Sequence, residues 1–285
     1  MPITARQAGF VVLLTVLIGA FPASAERTTS GGWIAFDERE FRARGDSWEI
    51  FVVRSDGSGR RRVTPPDRLY DKFRAGRSPD GRTIAFRGQS SNPRAKTGLF
   101  LVRIDGSGWR RLTAGAGDDN PAWSRDGRRI AFRRDQMIWT MSADGRNQRR
   151  VVVRRNSRQL NGGLAWSPDG RRIAFGRADG LWTIGANGVG LHRLARKGWD
   201  PSWSPDGRRI VFESGVGGSI NSITVDGGNL RRLNDWGHDP SWSPDGRRIA
   251  FGGDDGIYVM NADGKKIHRI MKGYPETGNP AWGPG

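Results

Sequence analysis

The chain has 285 residues, contains no cysteine and carries a formal net charge of +18 at pH 7. The missing cysteine excludes disulfides, thiolate metal sites and cysteine nucleophiles. A basic charge of this size favours polyanionic partners, such as anionic envelope polymers, lipid head groups or nucleic acid. The alternative is that the arginines are spread over solvated turns and only keep the protein soluble.

Residues 1–25 have the features of a secretory signal peptide. Arg6 is their only charge, an apolar run follows at 9–21, and Ala23-Ser24-Ala25 is a small-x-small cleavage signal. The run of about 13 residues is too short to span a bilayer comfortably, although a retained anchor is the alternative. We therefore predict a secreted or periplasmic protein, with a short linker at 26–31 and one domain at 32–285.

One phrase recurs along the rest of the chain. Trp-Ser-Pro-Asp-Gly-Arg-Arg-Ile-Ala-Phe stands at 166–175 and 242–251, and at 203–212 with Val211 in place of Ala. Related copies stand at 77–86 and 123–132. A spacing of about 40 residues predicts one supersecondary unit that is copied and stacked.

Each copy predicts four short strands joined by turns. In the last copy the strands are expected at 239–242, 248–251, 257–260 and 267–270, with Asp-Gly turns between them. Such a unit is a small antiparallel meander. Apolar residues on both faces of its middle strands indicate that neighbouring units stack radially as blades, with the repeated tryptophan wedged between them.

The blade count is six, and the ends of the chain complement each other. Residues 32–36 form a second strand with no first strand before it, whereas 279–282 form a first strand with nothing after it. We therefore predict an all-β, six-bladed propeller with four-stranded antiparallel blades. Its ring is closed by the C-terminal strand 279–282, which completes blade 1.

The repeats resemble the WD40-like repeat of the TolB family of six-bladed propellers. That signature reads Pro-x-Trp-Ser-Pro-Asp-Gly-x-x-Ile-Ala-Phe, then Ile-Tyr-Val-Met-x-Ala-Asp-Gly, then Arg-Leu-Thr, and the resemblance covers residues 32–285. It implies the fold and leaves activity open, because turn and core residues compose it. TolB proteins carry an α/β domain before the propeller. None fits between the predicted cleavage site and Gly32, so the translocation role is not carried over.

Candidate site residues lie where the loops enter the inner strands. These loops share one face around the axis, so the residue before the inner-strand proline should point to the mouth of an axial channel. By alignment of the repeats these residues are Arg74, Asn120, Gly163, Asp200, Asp239 and Asn279. Arg77 replaces the tryptophan of blade 2 and, with Arg74, is a candidate anion-binding point, although a degenerate repeat explains it equally well. Asp and Asn at these positions also suit the turn itself.

Two further surfaces depart from a plain repeat. Long insertions at 37–47 and 87–97 fall between the second and third strands of blades 1 and 2, and are expected to form the wall of a recognition site. The opposite face is predicted to carry a ring of first-turn arginines: Arg128, Arg129, Arg171, Arg172, Arg208, Arg209, Arg247 and Arg248. This ring would either dock on an anionic envelope surface or simply face solvent.

The sequence favours a binding protein over an enzyme. His192, His238 and His268 are dispersed over different blades, and no Gly-x-Ser-x-Gly motif is present, so we predict no catalytic residue, metal or cofactor. The favoured function is a non-catalytic, monomeric module that binds an unidentified protein or small ligand at the channel mouth. The alternatives are a hydrolase or lyase acting on a sugar, lactone or peptide, and a basic module that docks on anionic envelope polymers. Nucleic acid is not favoured as a partner of an exported protein.

Overall fold

A computed structural model describes residues 32–41, 46–64, 70–90, 97–151, 160–215, 217–273 and 277–283. These residues form six four-stranded antiparallel sheets and no helix, which confirms the predicted all-β propeller. The predicted signal peptide and linker, residues 1–31, lie outside the described residues, and the domain division stays a prediction.

The strands of the first three blades, from the inner strand outward, are β24 (Gly278–Trp282), β1 (Trp33–Glu40), β2 (Ser47–Arg54) and β3 (Arg61–Arg62); β4 (Asp71–Arg77), β5 (Thr83–Gln89), β6 (Gly98–Arg103) and β7 (Arg110–Arg111); β8 (Asp119–Trp123), β9 (Arg129–Arg134), β10 (Met137–Ser142) and β11 (Arg149–Val151). Those of the last three are β12 (Leu160–Trp166), β13 (Arg172–Arg177), β14 (Gly180–Gly185) and β15 (His192–Ala195); β16 (Trp199–Trp203), β17 (Arg209–Ser214), β18 (Ser219–Thr224) and β19 (Arg231–Asn234); β20 (His238–Trp242), β21 (Arg248–Gly253), β22 (Gly256–Asn261) and β23 (His268–Lys272).

The ring closes as the two terminal fragments predict. Strand β24 pairs antiparallel with β1, with Ile34 opposite Trp282 and Ala35 opposite Ala281. Beyond the ladder, the amide of Gly283 donates to the carbonyl oxygen of Trp33 at 3.0 Å. Strand β24 is therefore the inner strand of blade 1.

The Ile-Ala-Phe phrase builds the core between blades because side chains alternate across a strand. Ile249 and Phe251 pack toward blade 5, where they contact Val211. Ala250, on the other face, packs against Ile34 of blade 1. Each interblade core thus receives two large side chains from one blade and a small one from the other, which lets the blades approach closely.

The outermost strands explain much of the basic charge. They are open edges, and each carries an Arg-Arg or His-Arg pair, as in β3, β7 and β23. Charged side chains on an edge strand oppose pairing with another sheet. His192 and His268 belong to these outer strands, far from the axis.

The first-turn phrase is a closed hydrogen-bonded turn. In blade 6, Ser243 Oγ donates to Asp245 Oδ1 at 2.6 Å, and the same carboxylate oxygen accepts the amide of Arg247 at 3.0 Å. Gly246 takes the left-handed conformation that the turn needs, with φ 69°. The repeated aspartate is therefore a turn former.

Candidate functional site

Each inner strand bulges where it enters its blade. Arg74, Asn120, Asp200, Asp239 and Asn279 all have left-handed backbones, with φ between 47° and 54°. Asn and Asp tolerate this conformation better than most residues, and arginine at this position is strained. In blade 4 the left-handed residue is a glycine, Gly162 with φ 69°, one position before the Gly163 that alignment indicates.

The bulges turn backbone N–H groups away from the ladder, and neighbouring carboxylates accept them. The amide of Arg74 donates to Asp37 Oδ1 at 3.0 Å, and that of Asn279 to Asp239 Oδ2 at 3.2 Å. The amide of Asp239 itself donates to Glu213 Oε2 at 3.3 Å. Because a buried N–H needs an acceptor, these contacts give the acidic residues a structural reason to gather here.

The bulged residues surround one end of an axial channel with a volume of about 340 Å³. Of the predicted site residues, the structure brings together Arg74, Asn120, Gly163, Asp200, Asp239 and Asn279 as its lining. Arg77 is not brought to the mouth. Its guanidinium donates to the carbonyl oxygens of Trp33 and Gly81, which ties blade 1 to blade 2, and burial lowers its pKa to about 10.

The side of the mouth formed by blades 2 and 3 is basic. Three arginines meet one carboxylate, that of Asp119, which lies 2.9 Å from Arg133 Nη2, 3.2 Å from Arg87 Nη1 and 3.9 Å from Arg74 Nε. The guanidinium of Arg74 then reaches across the channel, so that its Nη1 lies 3.8 Å from Asp200 Oδ1 of blade 5. We call this set, Arg74, Arg87, Arg133 and Asp119, the basic half.

The side formed by blades 5, 6 and 1 is acidic. One carboxylate oxygen from each of Asp200, Glu213 and Asp239 lies within 4.8 Å of the others. Asp37 of blade 1 is 2% exposed and accepts the side-chain amide of Asn279 at 3.1 Å. We call Asp37, Asp200, Glu213 and Asp239 the acidic half.

Ionisation of the acidic half is opposed by burial and by mutual repulsion. Burial, followed by the charge of Asp239, raises the pKa of both Asp37 and Asp200 to about 7 and also raises the pKa of Glu213. Asp239 behaves differently. Burial alone would raise its pKa, but His238, whose Nδ1 lies 3.0 Å from its Oδ2, together with the charge of Arg74 and the amide of Asn279 outweighs burial and lowers the pKa. Negative charge therefore concentrates on Asp239.

The histidine beside Asp239 responds in the opposite sense. Burial alone would lower the pKa of His238, but the hydrogen bond and charge of Asp239, together with the charges of Glu213 and Asp200, outweigh burial and raise the pKa. His238 is the one histidine at the mouth. This pairing was not predicted, because the sequence places His238 only in the loop that enters blade 6.

Comparison with solved structures identifies the fold. The chain superposes on TolB from Acinetobacter baumannii with a TM-score of 0.73 and 20% identity, over 88% of this chain and 66% of that one. Putative TolB from Agrobacterium tumefaciens matches with a TM-score of 0.60 and 22% identity, over 81% of this chain and 99% of that one. The chain has the TolB-like propeller fold.

Identities this low show a shared fold and nothing about activity. An oligogalacturonate lyase in complex with manganese also matches the TolB-like propeller, with a TM-score of 0.55 and 15% identity, over 79% of this chain and 71% of that one. No family model matches the sequence, and a search of curated proteins finds no match. The match spans slightly less than two thirds of the Acinetobacter protein, so that protein's role is not transferred.

Several mouth residues of this TolB-like propeller escaped the sequence analysis. Asp37, Arg87, Arg133 and Glu213 each follow the Ile-Ala-Phe phrase, or its Ile-Val-Phe variant, by one position. In four blades that position places a charged side chain next to the residues that line the mouth. The residue after this phrase is acidic in blades 1 and 5 and arginine in blades 2 and 3, and this difference is the sequence signal for the acidic and basic halves of the mouth.

The long insertions differ in part from the prediction. Residues 37–40 are not loop, because β1 and β2 continue as a hairpin in which Asp37 pairs with Ile50 and Glu40 with Ser47. The tips of both insertions, 42–45 and 91–96, lie outside the described residues. Their role as a recognition wall stays a prediction.

On the opposite face, part of the arginine ring is used within the propeller. The guanidinium of Arg129 lies 4.4 Å from the ring centre of Trp166, and that of Arg248 lies 5.1 Å from Trp282. The preceding arginines, such as Arg128 and Arg247, are exposed. Docking of this face on an anionic polymer stays a prediction.

Proposed function

We propose that the protein is a non-catalytic binding module whose ligand or protein partner sits in the mouth of the axial channel. The observation that carries this proposal is that charged side chains of three blades, Arg74, Asp200 and Asp239, line one concavity. Carboxylates of two more blades, Asp37 and Asp119, lie against Arg74. A cavity of about 340 Å³ falls within the usual range for small-ligand sites. A rigid ring of blades holds these side chains in place, which is the arrangement expected of a binding site.

The predicted export agrees with such a role but awaits its own test, because residues 1–25 lie outside the described part of the chain. Among the described residues, no helix is long and apolar enough to cross a membrane. Sequencing the N-terminus of the protein recovered from its native host would test cleavage before Glu26. Light scattering on the purified protein would test the predicted monomer.

A screen of small molecules and short peptides by thermal shift tests the binding proposal. Every ligand that stabilises the wild type is then titrated against Asp239→Asn and against Asp235→Asn. The side chain of Asp235 is 81% exposed and pairs only with Arg232 nearby. We expect D239N to lose at least about tenfold in affinity, or 1.4 kcal/mol, with D235N unchanged. Ligands that bind both variants equally would place the site elsewhere.

One observation favours the enzymatic alternative, a hydrolase or lyase. The oxygens of Asp200, Glu213 and Asp239 are near enough to hold a hard divalent cation, which prefers carboxylate ligands. Asp239 Oδ2 and Glu213 Oε2 already accept hydrogen bonds, so the set fits a metal only in part. If this alternative holds, Ca²⁺ or Mn²⁺ raises the melting temperature of the wild type and not of Glu213→Gln. An unchanged wild type rejects it.

A further inference from the structure

The ligand of the channel mouth can be assigned a chemical class. We infer that it is a compact zwitterion, whose ammonium group meets the acidic half and whose carboxylate meets the basic half. A free α-amino acid is the simplest molecule of this class. The inference rests on the proposed function, since it names what that same mouth binds.

The acidic half is built to receive a cation. Asp200, Glu213 and Asp239 converge within 4.8 Å, and among the described residues only His238 and Arg74 face them with positive charge. Burial and repulsion raise the pKa values of Asp200 and Glu213, so full ionisation of the three carboxyl groups is costly unless a further cation lies among them. An ammonium group placed among them would relieve that repulsion and supply hydrogen-bond donors.

The basic half offers donors that no described atom accepts. Both ion-pair contacts of Arg74, at 3.8 and 3.9 Å, exceed hydrogen-bond distance, and its side chain is 35% exposed. Asn120 lines the same channel and is 5% exposed, yet its Nδ2 has no acceptor among the described residues. A buried donor without an acceptor is costly, and a carboxylate bound beside Arg74 would give its guanidinium the acceptor that it lacks.

The two halves meet, which argues against a ligand with a single charge. Arg74 Nη1 lies 3.8 Å from Asp200 Oδ1, so a charged group bound between them interacts with both the guanidinium and the carboxylate. A lone cation is drawn to the carboxylates but repelled by the arginines, and a lone anion experiences the reverse. A molecule whose opposite charges are separated by one or two carbons satisfies both halves at once.

The test compares intact zwitterions with their blocked forms on the wild-type protein. The standard free amino acids and glycine betaine are screened by thermal shift at a pH about one unit above the raised carboxyl pKa values, so that the acidic half is ionised. Each ligand that binds is then titrated calorimetrically beside its methyl ester, which lacks the carboxylate, and the affinity of the ester is calculated for its protonated fraction, because its amino group is partly deprotonated at this pH. Except for betaine, each is also titrated beside its N-acetyl form, which lacks the ammonium group.

We expect at least one zwitterion to bind, with each blocked form weakened at least about tenfold. Arg74→Gln should weaken the free amino acid similarly while leaving its methyl ester unweakened, because the repulsion between Arg74 and a cation is gone. Arg82→Gln, exposed on the opposite face, is the matched control. Its affinities should equal those of the wild type.

The outcomes separate this inference from the proposed function. A methyl ester that binds as tightly as its parent acid would show a plain cation site, which overturns the zwitterion while leaving a ligand-binding mouth. Failure of every zwitterion to bind would also overturn it, and the screen with D239N would then decide the proposed function alone. Because the ligand comparison uses the wild type, it stands even if R74Q does not fold.

Discussion

Asp37 should make the stability of the propeller fall as the pH rises. Its carboxyl is buried between the amide of Arg74 and the side chain of Asn279, at 3.0 and 3.1 Å. Burial, then repulsion from Asp239, raises its pKa from 3.8 to about 7. The folded protein therefore keeps a proton that the unfolded chain releases between these values, and the associated stability is full below pH 4 and is lost as the pH rises through 7.

The magnitude follows from the two pKa values. Ionising Asp37 in the folded state at high pH costs at most about 4 kcal/mol, at 1.36 kcal/mol for each pH unit. Asp37→Asn removes this cost and keeps the size of the side chain. The amide of Asn279 can rotate to suit the new partner, and any lost hydrogen bond is the same at every pH. We therefore expect the advantage of D37N over the wild type to grow by roughly 2.7 kcal/mol between about pH 5 and pH 8.5.

Urea unfolding followed by tryptophan fluorescence measures this difference at the two pH values. Other titrating groups are common to both proteins and largely cancel in the comparison. Asp235→Asn, which removes an exposed carboxylate, serves as the control and should run parallel to the wild type. A D37N curve that also stays parallel to the wild type would show that the folded protein does not hold Asp37 protonated, and the account of the acidic half would fail with it.

Three further predictions test the fold. Trp282→Ala removes a 9%-exposed wedge from the closing strand and should cost about 3–5 kcal/mol in urea; a loss below 1 kcal/mol would mean that closure contributes little. Gly256→Ala should lower the free energy of unfolding by more than about 2 kcal/mol, because φ is 145° and a Cβ would lie 2.0 Å from the carbonyl oxygen of Met271. Gly190→Ala is the control and should cost less, because a Cβ there would have nothing within 4 Å. Equal losses of stability in the two variants would refute the steric argument. Glu49→Gln should destabilise the protein by at least about 1 kcal/mol, because it removes the carboxylate that lies 3.2 Å from the buried ammonium of Lys72. A Tm within a degree of the wild type would contradict this.

The fold was predictable because its rules are local and repeated. A turn that needs Asp-Gly, an alternating Ile-Ala-Phe strand and two complementary end fragments specify blades and their number. The pairing of strand 279–282 with the first strand of the described chain follows from the count alone, and the structure supplies the register, with Ile34 opposite Trp282. None of these steps requires knowledge of how one blade faces another.

The site was predictable only in part because it depends on contacts between blades. The pre-proline residues were found by alignment, since their position repeats. The reach of Arg74 to Asp200 joins opposite blades and leaves no mark in either repeat. Likewise, Arg77 aligns with a tryptophan slot near the axis, yet its long side chain turns toward the carbonyl of Trp33.

The pairing of β24 with β1 also determines how the protein would be tethered. Trp33 begins β1 and Gly283 follows β24, and their hydrogen bond lies on the side of the first turns, where the exposed arginines stand. Any attachment through the residues before Trp33, such as an apolar leader kept as an anchor, would hold the propeller by its arginine-bearing face. That face would meet acidic head groups, and the charged mouth would open away from the bilayer.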